Sequence, residues 1–113
     1  MEKLFSYGTL QQEAVQISTF GRVLNGVADT LLGYRLTTVK IKDPKVVALS
    51  GKEYHPILVY TGYPSDKITG TVFELTSEEL AHADAYEDAA YVRKLGRMHS
   101  GEQVWIYADV NDL

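Results

Sequence analysis

The chain has no cysteine, which excludes disulfides, thiolate catalysis and zinc–thiolate sites together. It has no apolar run near the ~20 residues that cross a bilayer as a helix. Its first residues, Met1-Glu2-Lys3-Leu4-Phe5-Ser6-Tyr7, lack the long apolar stretch of a secretory signal. The expectation from these absences is a cytoplasmic protein with no membrane association. Positive charge is also scarce. Eleven Lys and Arg face fifteen Asp and Glu, a net charge of −4, which argues against a general nucleic-acid surface. The three histidines, His55, His82 and His99, have no metal-ligand spacing and read as surface or turn residues. There is no G-x-S-x-G elbow, no P-loop and no G-x-G-x-x-G. No repeat, linker or low-complexity tract divides the chain, so residues 1–113 are expected to form one domain.

What is present is ordinary for a globular protein, with 45% apolar and 23% charged residues. Eight tyrosines suit both β-sheet and the lining of a polar pocket. Leu4 to Tyr7 reads as a short strand. The turn Tyr7-Gly8-Thr9-Leu10 follows, then a helix over about 11–19, with Thr9 and Gln12 at capping-box spacing and Gly21 ending it. Val27 to Val39 reads as one long strand or two short ones, interrupted at Gly33-Tyr34. Lys42 to Lys45 reads as a turn and Val46 to Leu49 as a short strand. Pro56 to Thr61 and Ile68 to Leu75 are β-prone. A second helix runs from Thr76 toward Glu87, with Thr76 and Glu79 as a capping box. Tyr91–Met98 and Gln103–Val110 form a hairpin around Ser100-Gly101. The order is mostly β with two short helices, hence α+β with a curved or barrel-like sheet.

Two segments carry candidate chemistry. In Tyr7-Gly8-Thr9-Leu10 a strand runs into a glycine turn and then a helix. Backbone N–H groups at such a junction point outward and favour an anion, so a carboxylate fits there. The plainer alternative is a strand-to-helix turn with Thr9 as its N-cap. The second segment is the acidic helix. Leu80, Ala83 and Glu87 share one face at i, i+3 and i+7. Asp84, Glu87 and Asp88 cluster at the negative end of the dipole, where a cation is preferred. A core-facing carboxyl group in that company is expected to hold its proton more tightly than an exposed one, which suits a general base near neutral pH. The alternative is a Glu87 that frays into solvent. Tyr91 follows four residues on, with its hydroxyl able to orient a ligand or the carboxylate. Arg93 shares its strand face. Both also read as half-exposed strand residues. Asp84 is a rival base, ranked behind Glu87. Trp105 and Tyr107 alternate on the last strand, where packing is the expected role.

The ordered pieces Phe5-Ser6-Tyr7-Gly8-Thr9-Leu10, Gly21-Arg22, Leu32-Gly33-Tyr34-Arg35, Gly70-Thr71-Val72-Phe73-Glu74-Leu75, Ala83-Asp84-Ala85-Tyr86-Glu87, Tyr91-Val92-Arg93 and Val104-Trp105-Ile106-Tyr107 together resemble the γ-glutamylcyclotransferase-like superfamily, in its AIG2-like branch. The resemblance runs from about residue 4 to 108. It implies a small mixed β-barrel flanked by short helices, with a cavity at the barrel mouth. It implies that Tyr7, Gly8, Thr9 and Leu10 bind a glutamyl group through the loop backbone and that Glu87 is the catalytic glutamate; beside them, Tyr91 is expected to orient Glu87 or hydrogen-bond the substrate. The implied reaction cyclises a γ-glutamyl amide or peptide to 5-oxoproline and releases an amine or amino acid. The implied partner is a small γ-glutamyl substrate, and no metal, nucleotide or redox cofactor is needed. The chain departs from the pattern at Ala83, where leucine is common, at Asp88, where glycine is common, and across 36–56. The competing expectation is a non-catalytic module on the same fold that binds a small carboxylate or an acidic chain terminus. A third is a structural subunit whose tyrosine-rich sheet packs on a partner.

Overall fold

The structure is a computed structural model and describes residues 1–87 and 89–111. Strand β1 (Glu2–Ser6) leads into a 3-10 turn (Thr9–Gln11) and helix α1 (Glu13–Phe20). Strands β2 (Gly26–Leu32) and β3 (Tyr34–Lys40) follow, then α2 (Pro44–Ser50) and β4 (Tyr54–Tyr60). The chain finishes with β5 (Lys67–Leu75), α3 (Ser77–Tyr86), β6 (Tyr91–Arg97) and β7 (Gln103–Asp109). Five strands form one sheet in the order β2-β5-β1-β7-β6, and β3 pairs with β4 as a separate hairpin. The sheet is mixed, because β1 runs parallel to β7 while its other pairings are antiparallel.

The barrel expectation needs correcting. The sheet is strongly curled, and its edge strands meet through an isolated bridge, Leu31 to Met98, and the bond from His99 N to Thr30 O. It is not closed into a barrel, since no ladder of bonds joins β2 to β6. The α+β class stands, with a five-stranded sheet and three helices.

Side-chain alternation explains how β1 and β7 divide the interior. Leu4 joins a cluster under the helices, with Leu10, Val15, Val46, Leu75, Leu80 and Tyr86. Phe5 joins a second cluster between the sheet and the β3–β4 hairpin, with Leu31, Leu58, Met98 and Ile106. On β7, Val104, Ile106 and Ala108 face the second cluster, and Tyr107 faces the first. Buried on both faces, β7 reads as a nearly unbroken apolar run, as a central strand should. Where β1 ends, its register sets Ser6 opposite Thr71 of β5. A Cβ on Gly70 would lie 2.4 Å from the Ser6 carbonyl oxygen, so this close approach requires glycine.

The helix α3 starts as its sequence predicts. Thr76 Oγ1 accepts from Glu79 N at 3.1 Å and Glu79 Oε1 accepts from Thr76 N at 2.9 Å. Two local expectations fail. Val46–Leu49 is not a strand but the body of α2. Asp43 caps that helix by accepting from Lys45 N, Pro44 opens it, and Gly51 closes it in the left-handed region at φ 74°. Thr9 and Gln12 form no capping box. Gln12 is extended, α1 begins at Glu13, and the Thr9 hydroxyl is engaged elsewhere.

Candidate active site

The site forms where β1 leaves the sheet. The chain turns at Tyr7 and Gly8 into the short 3-10 turn, with Gly8 as its N-cap. The leading N–H groups of such a turn have no partner within it. Three bonds hold this loop from behind. Tyr7 Oη donates to the Tyr107 carbonyl at 2.5 Å, Gln11 N donates to Gly8 O at 3.1 Å, and Thr9 Oγ1 lies 2.7 Å from Tyr86 Oη. Gly8 lets the β4 wall come close, since a Cβ there would meet Pro56 Cγ at 3.4 Å.

Helix α3 brings the carboxylate. Its last turn closes with Glu87 N donating to Ala83 O at 3.1 Å, and Glu87 itself is extended at φ −68°, ψ 140°. Glu87 is thus the C-cap rather than a member of the helical stripe. It still lines the pocket that Tyr7, Gly8, Thr9 and Leu10 line. That pocket measures about 310 Å³ out to its open mouth, and Phe5, Ser6, His55, Pro56, Tyr91 and Tyr107 complete its wall. All six residues singled out from the sequence as site residues therefore meet in one cavity.

Electrostatics tie Glu87 to its neighbours. Burial pushes the Tyr7 phenol well above its ordinary range, and charge at Tyr91 and Glu87 adds to the shift. Burial raises Tyr107 likewise, helped by its bond to Asp84 and by the charges of Asp84 and Glu87. Tyr86 is raised mainly by burial, with Glu87 contributing. Three tyrosine hydroxyls thus stay protonated at any pH near neutral and lie within electrostatic reach of one carboxylate. Tyr7 gives its proton to the Tyr107 carbonyl and Tyr107 gives its own to Asp84, so neither phenol serves as a base in the pocket.

Other sequence candidates have structural partners. Tyr91 Oη donates to Pro56 O at 2.7 Å, fastening β6 to the hairpin wall. Arg93 donates to both oxygens of Asp84, at 2.8 and 3.1 Å, and its guanidinium lies 4.2 Å from the centre of the Trp105 ring. Asp84 also accepts from Tyr107 Oη at 2.7 Å. The rival acid is therefore engaged by Arg93 and Tyr107, and it does not line the pocket.

Of the other lining residues, Tyr107 and His55 depart from what their sequence context predicts. Tyr107 was read as packing, yet it borders the cavity. Its signal is a polar-tipped aromatic on a largely apolar strand. His55 was read as a surface or turn residue, but it is 3% exposed and borders the same cavity. Its Nε2 lies 3.0 Å from both the Lys52 carbonyl and Ser50 Oγ. A carbonyl only accepts, so Nε2 carries a proton. Nothing local in the sequence marks His55, because the loop at 50–52 brings its partners.

A curled mixed sheet thus carries a carboxylate and a backbone loop in one end pocket. The chain belongs to the γ-glutamyl cyclotransferase, AIG2-like family, whose model matches residues 4–111. Among solved structures it is similar to two Arabidopsis thaliana proteins determined in solution. The first is 25% identical with a TM-score of 0.74, over 98% of this chain and 63% of that one. The second is 23% identical with a TM-score of 0.73, over 99% of this chain and 70% of that one. The chain thus spans less than two thirds of the first relative's length. A γ-glutamyl cyclotransferase shares the fold at 13% identity and a TM-score of 0.67, over 96% of this chain and 66% of that one. No curated protein sequence matches the chain. Among the described residues, no helix is long and apolar enough to cross a membrane.

Proposed function

We propose that the protein is a γ-glutamyl cyclotransferase-type enzyme that converts a γ-glutamyl amide or peptide to 5-oxoproline and a free amine or amino acid. The observation that carries this reading is the meeting of Glu87 with the Tyr7–Leu10 loop in one narrow pocket. The loop amides would receive the α-carboxylate of the glutamyl group. Glu87 would take a proton from the α-ammonium, freeing the amine to attack its own γ-carbonyl carbon. The new C–N bond closes a five-membered ring. The old amide C–N bond then breaks as Glu87 passes its proton to the leaving nitrogen, and the second proton on the ring nitrogen goes to the released amine, giving a neutral lactam and an ammonium. Because the attack is intramolecular, holding the chain bent supplies much of the rate. Effective molarities of about 10⁵–10⁸ M are reached in well-oriented cases. The Tyr7 and Tyr107 hydroxyl protons are committed to the Tyr107 carbonyl and to Asp84, so the acid–base role is assigned to the Glu87 carboxylate. The chemistry requires no metal or redox cofactor.

Incubation with a panel of γ-glutamyl amino acids and γ-glutamylamines, scored for 5-oxoproline, tests the reading. At least one member should be turned over. Glu87→Gln should fold normally and lose about 10²–10⁴-fold in kcat, the usual worth of a positioned proton-transfer group. A variant keeping more than a tenth of wild-type kcat would remove Glu87 from the reaction. No release from any panel member would leave a carboxylate-binding module.

A further inference from the structure

Two further recesses share walls with the pocket, and they differ in charge. On the loop side a groove of about 580 Å³ shares Tyr7, Gly8, Thr9 and Pro56 with the pocket and adds Gln11, Gln12 and Lys52. It contains no acidic residue, in a chain of net charge −4. Among the described residues, the Lys52 ammonium lies within ion-pair distance of no carboxylate. Its backbone is nevertheless fixed. Lys52 N donates to Ser50 Oγ at 3.3 Å, and Lys52 O accepts from His55 Nε2 at 3.0 Å. Ser50 Oγ is in turn anchored on Val46 O at 2.8 Å. A buried serine–histidine pair therefore holds a lysine at the edge of the site.

The other side is the reverse. A recess of about 800 Å³ shares Glu87, Tyr91 and Tyr107 with the pocket and adds Asp84 and Arg93. There the Arg93 charge is already matched by Asp84 through two hydrogen bonds. Glu87 leaves that side with negative charge in excess, which repels an anion.

We propose that Lys52 selects substrates whose leaving group carries a carboxylate, so that γ-glutamyl amino acids and peptides are preferred over simple γ-glutamylamines. The inference rests on the cyclotransferase reading. The leaving portion extends along the Gly8–Lys52 groove, and its carboxylate pairs with the Lys52 ammonium. Lys52 lies within 36–56, the stretch that departs most from the family pattern.

A matched pair of compounds isolates this charge. γ-Glutamyl-L-alanine and γ-glutamyl-ethylamide differ by one carboxylate and share everything else, including the α-carboxylate. Wild type should favour the alanine conjugate about five-fold in kcat/KM, the upper range for an exposed ion pair. Lys52→Gln should lower kcat/KM for the alanine conjugate by about that factor and leave the ethylamide within about two-fold. Lys52→Glu should invert the preference and Lys52→Arg should keep it. Raising salt from about 0.05 to 0.5 M should narrow it. The side chain makes none of the loop's own hydrogen bonds, so these variants should fold. A preference unchanged in Lys52→Gln overturns the proposal. So does an equal fall for both compounds, which would assign Lys52 to the shared α-carboxylate. If wild type cyclises neither these two compounds nor any other member of the panel, the cyclotransferase reading fails. The ratio of their Kd values for wild type and Lys52→Gln, read by titration calorimetry, then decides the Lys52 proposal alone.

Discussion

The Thr9 hydroxyl is the hinge between the loop and the helix that carries Glu87. It sits 2.7 Å from Tyr86 Oη in a buried setting, and Tyr86 is the residue immediately before Glu87. Thr9 is therefore not the helix cap that its spacing from Gln12 predicts. Removing one partner leaves the other buried without it, which costs about 1–3 kcal/mol. Tyr86→Phe should lower stability by that order, and so should Thr9→Val. The double variant should cost less than the sum, with a coupling energy of about 0.5–3 kcal/mol. Guanidinium unfolding of the four proteins reads this directly, and strict additivity would show that the two hydroxyls do not act on each other. Individual residues also show where the sequence could be read and where it could not. Glu87 and Tyr7–Leu10 stood out because each lies in a local pattern that implies chemistry. His55 and Tyr107 reach the same pocket through the placement of β4 and β7, and their neighbours in sequence give no hint of it. Tyr91 was recognised as a site residue, but its hydroxyl is bonded to a backbone carbonyl of β4, a partner 35 positions away in sequence.

Secondary structure was legible wherever its punctuation was stronger than its composition. The α3 capping box, the Gly33 break and the Ser100-Gly101 turn all fall where the residues indicate. Helix α2 was missed because Val46 and Val47 are β-branched, and their strand preference was weighed above the signals around them. Asp43-Pro44 before the run and Gly51 after it form a start and a stop. Those terminal bonds decide the outcome for so short a segment. Helix α3 makes the sharper forecast. Glu79 closes the capping box and also accepts both Arg22 nitrogens, at 2.7 and 2.9 Å. Arg22 above all, then the Thr76 bonds, hold its carboxyl down at about 2 from an ordinary value of 4.5. A folded-state pKa below the unfolded one means the unfolded chain binds the extra proton. The stabilisation is therefore complete above pH 4.5 and is lost as pH falls toward 2. Glu79→Gln should be less stable than wild type at neutral pH, and the gap between them should close across that acid window. Parallel denaturant titrations from neutral to acid pH check it. A gap that stays constant would mean the Arg22 pairing contributes nothing to folding.

The strands that carry the candidate site also run away from it. On β6, Tyr91 lines the pocket, and Met98 lies just beyond the opposite end of the strand. Seven residues of extended chain span about 23 Å. Met98 is 1% exposed, belongs to the second core cluster and forms the bridge to Leu31 that brings the two sheet edges together. The sheet's curl was readable from the run of short strands. Its openness was not, because closure depends on whether β2 and β6 pair over their length, and no local pattern specifies that. Joined by one short bridge, these edges depend on packing rather than on a ladder of bonds. Met98→Ala should therefore remove about 2–5 kcal/mol of stability, the usual cost of emptying a buried methionine site. It should leave the distant pocket intact in those molecules that remain folded. Thermal unfolding of the variant should show a lower Tm, while kcat on any compound the wild type turns over, corrected for folded fraction, should match wild type. A drop in kcat beyond that correction would mean that the curl of the sheet, and not the local loop and helix bonds alone, sets the separation between Glu87 and the Tyr7–Leu10 backbone.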